Sequence, residues 1–306
     1  MEILRMEDRP DTGSLPANVW TAGASARECL RYAAYPILLL SAVWLFASVL
    51  RFGWDRGQAI QFFLIGTIVY LAALERLIPH RTDWHPSGRE LCWYAAYFGF
   101  TMVGAVLGQS VVAAVLAATP VTGPGLALGA EVPLALLASS LTGYLAHRWA
   151  HSNRWLWKVH GIHHVPGKVN VANNGVNHLL DVAFKQGAVQ LTLGFLGFSA
   201  DCLFAVALFT LVQGYFVHAN VDVRLGPLHH VLASPEQHRL HHSADLAEAG
   251  HFGVDLSVWD RLFGSFTWRP DRRPAIVGVK DPATFPETGS IVASLLHPVR
   301  RPTHTA

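Results

Sequence analysis

Imidazole is the side chain with which this sequence could do chemistry, and its placement is patterned. Of 17 histidines, 13 fall between positions 147 and 251. His147 and His151 form H-x-x-x-H. His160, His163 and His164 form H-x-x-H-H, and His238, His241 and His242 repeat that motif far downstream. Residues three and four apart share one face of a helix, so each group aims two or three rings at one point. Neutral imidazole suits zinc, copper, iron and nickel. These eight rings exceed the six positions of an octahedral ion, so the pattern predicts two metals. Surface histidines have no reason to cluster three times at this spacing. Haem ligation would pair histidines on two spans at matched depth, whereas these sit in tight groups where apolar segments end. A carboxylate-bridged di-iron bundle needs two Glu-x-x-His motifs and two further glutamates. The nine glutamates form that motif once, at Glu248 and His251, which excludes the carboxylate version.

The elements that must position these rings are apolar. Hydrophobic residues make up 51% of the 306 and charged residues 14%, against about 25% charged in a soluble chain. The composition predicts an all-α integral membrane protein. Candidate spans are 33–50, 58–78, 91–118 and 131–147, each near the ~20 residues that cross a bilayer. The apolar stretch 182–217 is too long for one crossing and reads as a helical hairpin broken near Gly197–Asp201. Residues 1–30 read as a mobile N-terminal arm rather than a signal peptide, because the first apolar run starts late. Segments 148–181 and 218–270 form a polar helical cap, and the Pro-rich 271–306 reads as a loosely ordered tail. The domain that carries function spans 31–270.

Charge gives orientation. Loop 119–130 has no Lys or Arg, while Arg27, Arg31, Arg76, Arg81 and Arg89 flank the opposite ends. That predicts a cytoplasmic cap and site, although Arg51 and Arg56 argue mildly the other way. The arginine-rich, Ala/Leu/Val/Gly-biased composition suggests a bacterial inner membrane. Net charge is +2 with no basic block, so no nucleic-acid partner is expected. Cys29, Cys92 and Cys202 are far apart and form no C-x-x-C, so they predict neither disulfides nor a thiolate zinc site.

The order H-x-x-x-H, H-x-x-H-H, apolar gap, H-x-x-H-H resembles the fatty acid hydroxylase/sterol desaturase superfamily. "ERLIPHR" at 75–81, "YLAHRWAH" at 144–151, "HRLHHS" at 238–243 after Pro235, and "FGVDLSVWDRLFGSF" at 252–266 are also similar to family motifs. The resemblance covers roughly 60–270. It implies two further ligands, His178 in "NHLLD" and His218 in "YFVHAN". At His178 the chain departs from the family pattern, because Leu179 stands where a proline is usual. The family often has an aspartate seven residues before the first ligand, where this chain has Ser140, so a carboxylate near the site must come from elsewhere. The resemblance also implies supporting roles for Asn170 and for His251, which stands where the family often has Asn.

The resemblance further implies two iron ions, dioxygen as co-substrate, a lipid taken from the bilayer, and hydroxylation or desaturation of a C–H bond. Sterols, fatty acyl chains, sphingolipid-like lipids and amino lipids are all compatible. No electron-transfer domain is fused, so electrons would come from a separate ferredoxin, cytochrome b5-like protein or flavin reductase. The alternative is a non-catalytic membrane metal-binding or metal-transport protein. A transporter should line a path through its spans with ionisable residues. Asp201 is the clearest mid-span candidate, and it sits at a predicted break.

Overall fold

The computed structural model describes residues 22–267, 269 and 273–300. Among these the architecture is all-helical, with only three isolated bridges outside the helices. Four long helices come first: α1 (Ala22–Phe52), α2 (Arg56–Leu77), α3 (Gly88–Ala117) and α4 (Leu128–Ser152). They are followed by α5 (Arg154–His164), α6 (Leu179–Phe195), α7 (Ala200–Val217), α8 (Pro235–His241), α9 (Val258–Leu262) and α10 (Ile291–Leu296).

Five of these helices, α1 to α4 and α7, are long and apolar enough to cross a membrane. Their polar residues work at the ends. Asp55 caps α2 through Gln58 N, Ser87 and Glu90 form a capping box on α3, and Ser199 caps α7 through Cys202 N. Between the caps, Leu40, Trp44, Phe62, Ile65, Val69 and Val106 face outward. An apolar outer surface of this extent fits hydrocarbon rather than water. The hairpin falls where expected, as α6 and α7. Its turn uses Gly197 at φ +68, where a Cβ would stand 2.7 Å from Thr122 O. The shorter α6 packs closely on α3 because Gly104 and Gly108 face it. A Cβ on Gly104 would lie 2.4 Å from Leu179 O, and one on Gly108 2.9 Å from Ala183 O.

The bundle has two unlike ends. At one, the turn around Gly197 meets Gly123, Glu131 accepts from Ser199, and Arg56 pairs with Asp201. At the other, Arg31 near the start of α1 pairs with Asp222, and the C-terminal ends of α2, α4 and α7 meet the remaining chain. Every histidine of the three sequence groups lies at this second end.

Two expectations about the chain's extremities change. Most of the arm expected over 1–30 lies outside the described residues. Helix α1 already begins at Ala22, since nothing from there to Leu30 breaks a helix. The tail from 273 to 300 is not loose. Phe285 and Ile291 pack with Trp93, Tyr94 and Tyr97, and Tyr97 Oη donates to Ser294 Oγ at 2.8 Å. Gly161 leaves room for the Phe285 ring, because a Cβ there would meet it at 2.3 Å. A few apolar anchors outweigh the Pro-rich composition.

Candidate metal centre

Local chemistry delivers each histidine. His147 and His151 sit in the last turns of α4. Asn153 ends α4 and starts α5, accepting from Trp155 N and Leu156 N, so the chain turns at once into the helix carrying His160, His163 and His164. His218 is the residue that closes α7. Ser234, Pro235 and Gln237 build a capping box that nucleates the short α8, which brings His238 and His241, with His242 at its end.

Nine of these rings converge in two groups, each with its ligand atoms within 4.8 Å of one another: His147, His151, His160, His164 and His241 in one, His163, His218, His238 and His242 in the other. Each H-x-x-H-H motif is divided between them. On α5 the first and last histidines join the five-ring group and the middle one joins the four-ring group. On α8 the division is reversed. The stacked rings of His164 and His242, 4.3 Å apart, lie where the groups meet.

The proton positions follow from the partners. Nδ1 of His147 lies 2.7 Å from Phe252 O, that of His163 3.2 Å from Val176 O, that of His218 2.9 Å from Asn170 O and that of His241 3.2 Å from Gly250 O. A carbonyl oxygen only accepts, so Nδ1 carries the hydrogen and Nε2 of the neutral ring presents a lone pair. His160 is fixed the same way, its Nδ1 donating to Asp181 Oδ2 at 3.1 Å. Nε2 of His160 stands 3.0 Å from that of His147, 3.1 Å from that of His151 and 3.3 Å from that of His164. In the other group, Nε2 of His238 and His242 are 3.1 Å apart. Nε2 of His218 and of His241 is buried without a hydrogen-bond partner. Converging lone pairs repel one another unless a cation lies between them. Metal–nitrogen bonds of about 2.1 Å at right angles separate two ligand nitrogens by roughly 3.0 Å, the spacing found here. The donor set fits two transition-metal ions.

Burial keeps the rings in the ligand state. It pushes His160, His163, His164, His238 and His242 well below the ordinary imidazole range, His218 down to about 4 and His241 to about 3. Neighbouring imidazoles push most of them further in the same direction.

His178 is not brought to either group. It caps α6, its Nδ1 accepting from Leu180 N at 3.1 Å and its Nε2 donating to Leu295 O at 3.1 Å, so both nitrogens are engaged. Asn170 supports the site through its backbone, with its carbonyl on His218 and its side chain capping the turn at Asn173 N. His251 is fully buried, with Nε2 3.8 Å from Asp260 Oδ2 and no hydrogen bond to either ring nitrogen. Its φ of +67 is the left-handed region, which Asn adopts more readily than most residues.

Three carboxylates complete the support. Asp181 supplies the one expected elsewhere than position 140, where Ser140 instead accepts from Trp259 Nε1 at 2.9 Å. Asp260 accepts from Phe252 N, Gly253 N and Ser265 Oγ, fixing the loop whose carbonyls hold His147 and His241. Glu75 Oε1 accepts from Val171 N at 2.7 Å and Asn220 N at 2.8 Å, joining the two segments that meet at His218. Asp181 was missed in the sequence; its signal is its place in the first turn after His178, four residues before Lys185.

Five apolar, membrane-length helices joined to two buried histidine groups, each of which could hold a metal ion, define a histidine-rich class of membrane protein. The fatty acid hydroxylase family model matches residues 132–265, which contain all nine converging histidines. The chain is 30% identical over 254 residues to ornithine lipid hydroxylase OlsE of Rhizobium tropici, covering 78% of this chain and 73% of that protein. It is 30% identical over 158 residues to alkylglycerol monooxygenase of Danio rerio, covering 49% of this chain and 33% of that one. With the human alkylglycerol monooxygenase it shares 32% over 132 residues, 40% of this chain and 27% of that one. No solved structure matches. The chain belongs to the fatty acid hydroxylase family.

Proposed function

We propose that this chain is a membrane-embedded lipid hydroxylase whose nine clustered histidines hold two iron ions. The observation that carries the reading is the pair of lone-pair convergences buried where the apolar helices end. Iron with open coordination positions supplies dioxygen activation when bound. The five imidazoles of one group and the four of the other would hold one ion each. The protein's own part is to keep the rings neutral, to fix their Nδ1 hydrogens and to shield the site from water. The reaction balances as R–H + O2 + 2 electrons + 2 protons giving R–OH + H2O. The electrons come from a separate carrier of the ferredoxin, cytochrome b5-like or flavin reductase type.

The relatives' names, a hydroxylase and a monooxygenase, favour hydroxylation over desaturation and a polar lipid over a free acyl chain. Residues 31–270 form the catalytic domain, supplemented by the packed segment to 300. The basic residues at the histidine end favour a cytoplasmic site in a bacterial inner membrane. A metal-transport role is disfavoured, because Glu75 and Glu131 are committed to backbone N–H groups and Asp201 to Arg56 instead of lining a path.

The test is metal analysis and lipid mass spectrometry on protein from iron-replete cells. About two irons per chain are expected, with a lipid product one oxygen heavier that depends on O2 and a reductant. Stoichiometric zinc without oxygen consumption overturns the reading. His163→Ala should lose both iron and product, and retained activity would remove His163 from the ligands.

A further inference from the structure

Arg239 is a buried cation that the histidine site does not use. His238, His241 and His242 of the same short helix join the two histidine groups, whereas Arg239 reaches Val221 O. Arg239 is 3% exposed. A guanidinium offers five donors in a fixed fork. Among the described residues one of them is engaged, Nη1 to Val221 O, at a long 3.4 Å. The carboxylates that act on Arg239 through space are turned elsewhere. Glu236 faces Arg224 at 3.9 Å, and Asp222 faces Arg31 at 2.5 Å and Arg224 at 3.4 Å. Buried charges are paired as a rule, so this fork is short of a partner.

Two more groups lie beside it. His80 Nε2 is buried with no hydrogen-bond partner. Burial, and then Arg239, Arg273 and Arg81, push His80 down to about 3, so three guanidiniums crowd one neutral imidazole. Arg81 is committed to Asp83 through bonds of 3.0 and 2.7 Å. Arg273 is exposed and joins no ion pair among the described residues. Arg239, Arg273 and His80 are therefore the donors left over. Their frame is rigid. His80 N donates to Asn220 O at 3.0 Å, Arg81 N to Asn220 Oδ1 at 3.0 Å, and Asn220 Nδ2 to Arg81 O at 2.7 Å. The set also stands at head-group depth. His80 follows closely on Leu77, where the membrane-length α2 ends, and Asp222 N bonds Ile78 O at 2.8 Å.

We propose that Arg239, Arg273 and His80 bind a phosphate group, that of a membrane phospholipid, at a site separate from the metal centre. Guanidinium forks pair bidentately with phosphate oxygens, and a third donor on His80 suits a tetrahedral oxyanion better than a planar carboxylate. The lipid is held by its head group as a structural ligand and is not the molecule that reacts. Bound there, the phosphate ties the turn after α2 to α8, the helix that carries histidines of both groups. The inference stands whichever metals those histidines hold.

The experiment measures equilibrium binding to the metal-loaded full chain in maltoside detergent and phosphate-free buffer. The probes are dihexanoyl phosphatidic acid, dihexanoylglycerol, inorganic phosphate and a polyglutamate peptide. Wild type should bind phosphatidic acid at least about tenfold more tightly than dihexanoylglycerol, the scale of one charge-assisted hydrogen bond. Arg239→Gln should abolish that preference. Arg273→Ala and His80→Ala, which remove an exposed side chain and an unpartnered ring, should each cut it roughly tenfold and keep the test open if Arg239→Gln does not fold. Phosphatidic acid binding more tightly than inorganic phosphate supports the lipid as the source, and equal binding supports the phosphate site with free phosphate as its ligand. A wild type that binds neither phosphate probe overturns the proposal, as does a preference that survives Arg273→Ala and His80→Ala. Polyglutamate binding where neither phosphate probe does would mark a protein-docking surface and also overturn it.

Discussion

Replacing Asp181 by alanine should loosen one metal position and spare the other. Its carboxylate holds His160 of the five-ring group, at 3.1 Å, and no histidine of the four-ring group. Losing a buried hydrogen bond to a charged acceptor costs about 1.5–3 kcal/mol. At 1.4 kcal/mol per tenfold, that is roughly a 10–100-fold loss of affinity, the range expected for the outer partner of a metal-bound histidine. Lys185, left 3.2 Å from His160 Nδ1 without its counter-charge, acts in the same direction. In the four-ring group, His163 and His218 keep their carbonyl partners at Val176 and Asn170. The assay dialyses iron-loaded protein against graded chelator and counts the iron retained. Asp181→Ala should shed one ion at about 10–100-fold less chelator than wild type and keep the other to near the wild-type point. Asp181→Asn, whose amide oxygen still accepts, should show a smaller effect. Simultaneous loss of both ions at low chelator, or wild-type retention of both, would refute the reasoning.

Four further outcomes are expected. With metals removed, the protein should lose stability on acidification. His218 titrates near 4 folded and about 6.5 unfolded, so between those values the unfolded chain binds more protons, and about 3 kcal/mol vanishes from that residue alone; a thermal midpoint unchanged between pH 7 and about 4.5 contradicts this. His178→Ala should keep both irons, and loss of one by elemental analysis would make His178 a ligand. Glu75→Leu strands two buried N–H groups at about 1–3 kcal/mol each, whereas Glu75→Gln keeps the Oε1 that accepts both, so thermal melts should separate the two variants. His251→Val should cost about 1–3 kcal/mol, because a branched side chain is strained at φ +67, while His251→Asn should melt like wild type.

Much of this was legible in the sequence because period and chemistry coincide there. The 3,4 spacing of His160, His163 and His164 puts three rings on one turn, and long apolar runs between capping residues can only be membrane-length helices. The division of each motif between two groups was not legible, since it depends on how α5 and α8 are rotated about their axes once packed. His178 read as a ligand through family resemblance. Its position at the start of α6 makes it a cap, and spacing alone cannot tell a cap from a ligand. Composition hid the packed tail, because Phe285 and Ile291 are few among prolines and charges.

Four histidines of the site are oriented by backbone carbonyls, those of Phe252, Val176, Asn170 and Gly250. A carbonyl is the same whatever side chain accompanies it. Substitution scanning would therefore read the imidazoles and Asp181 directly and reach these four acceptors only through the side chains that shape their loops, such as that of Asn170. A change in the path of the main chain, such as a lengthened loop or an inserted residue, would reach them all. For an engineer moving this site to another scaffold, copying the histidines would be insufficient. Four of the acceptors that fix their tautomers have to be reproduced as loop geometry.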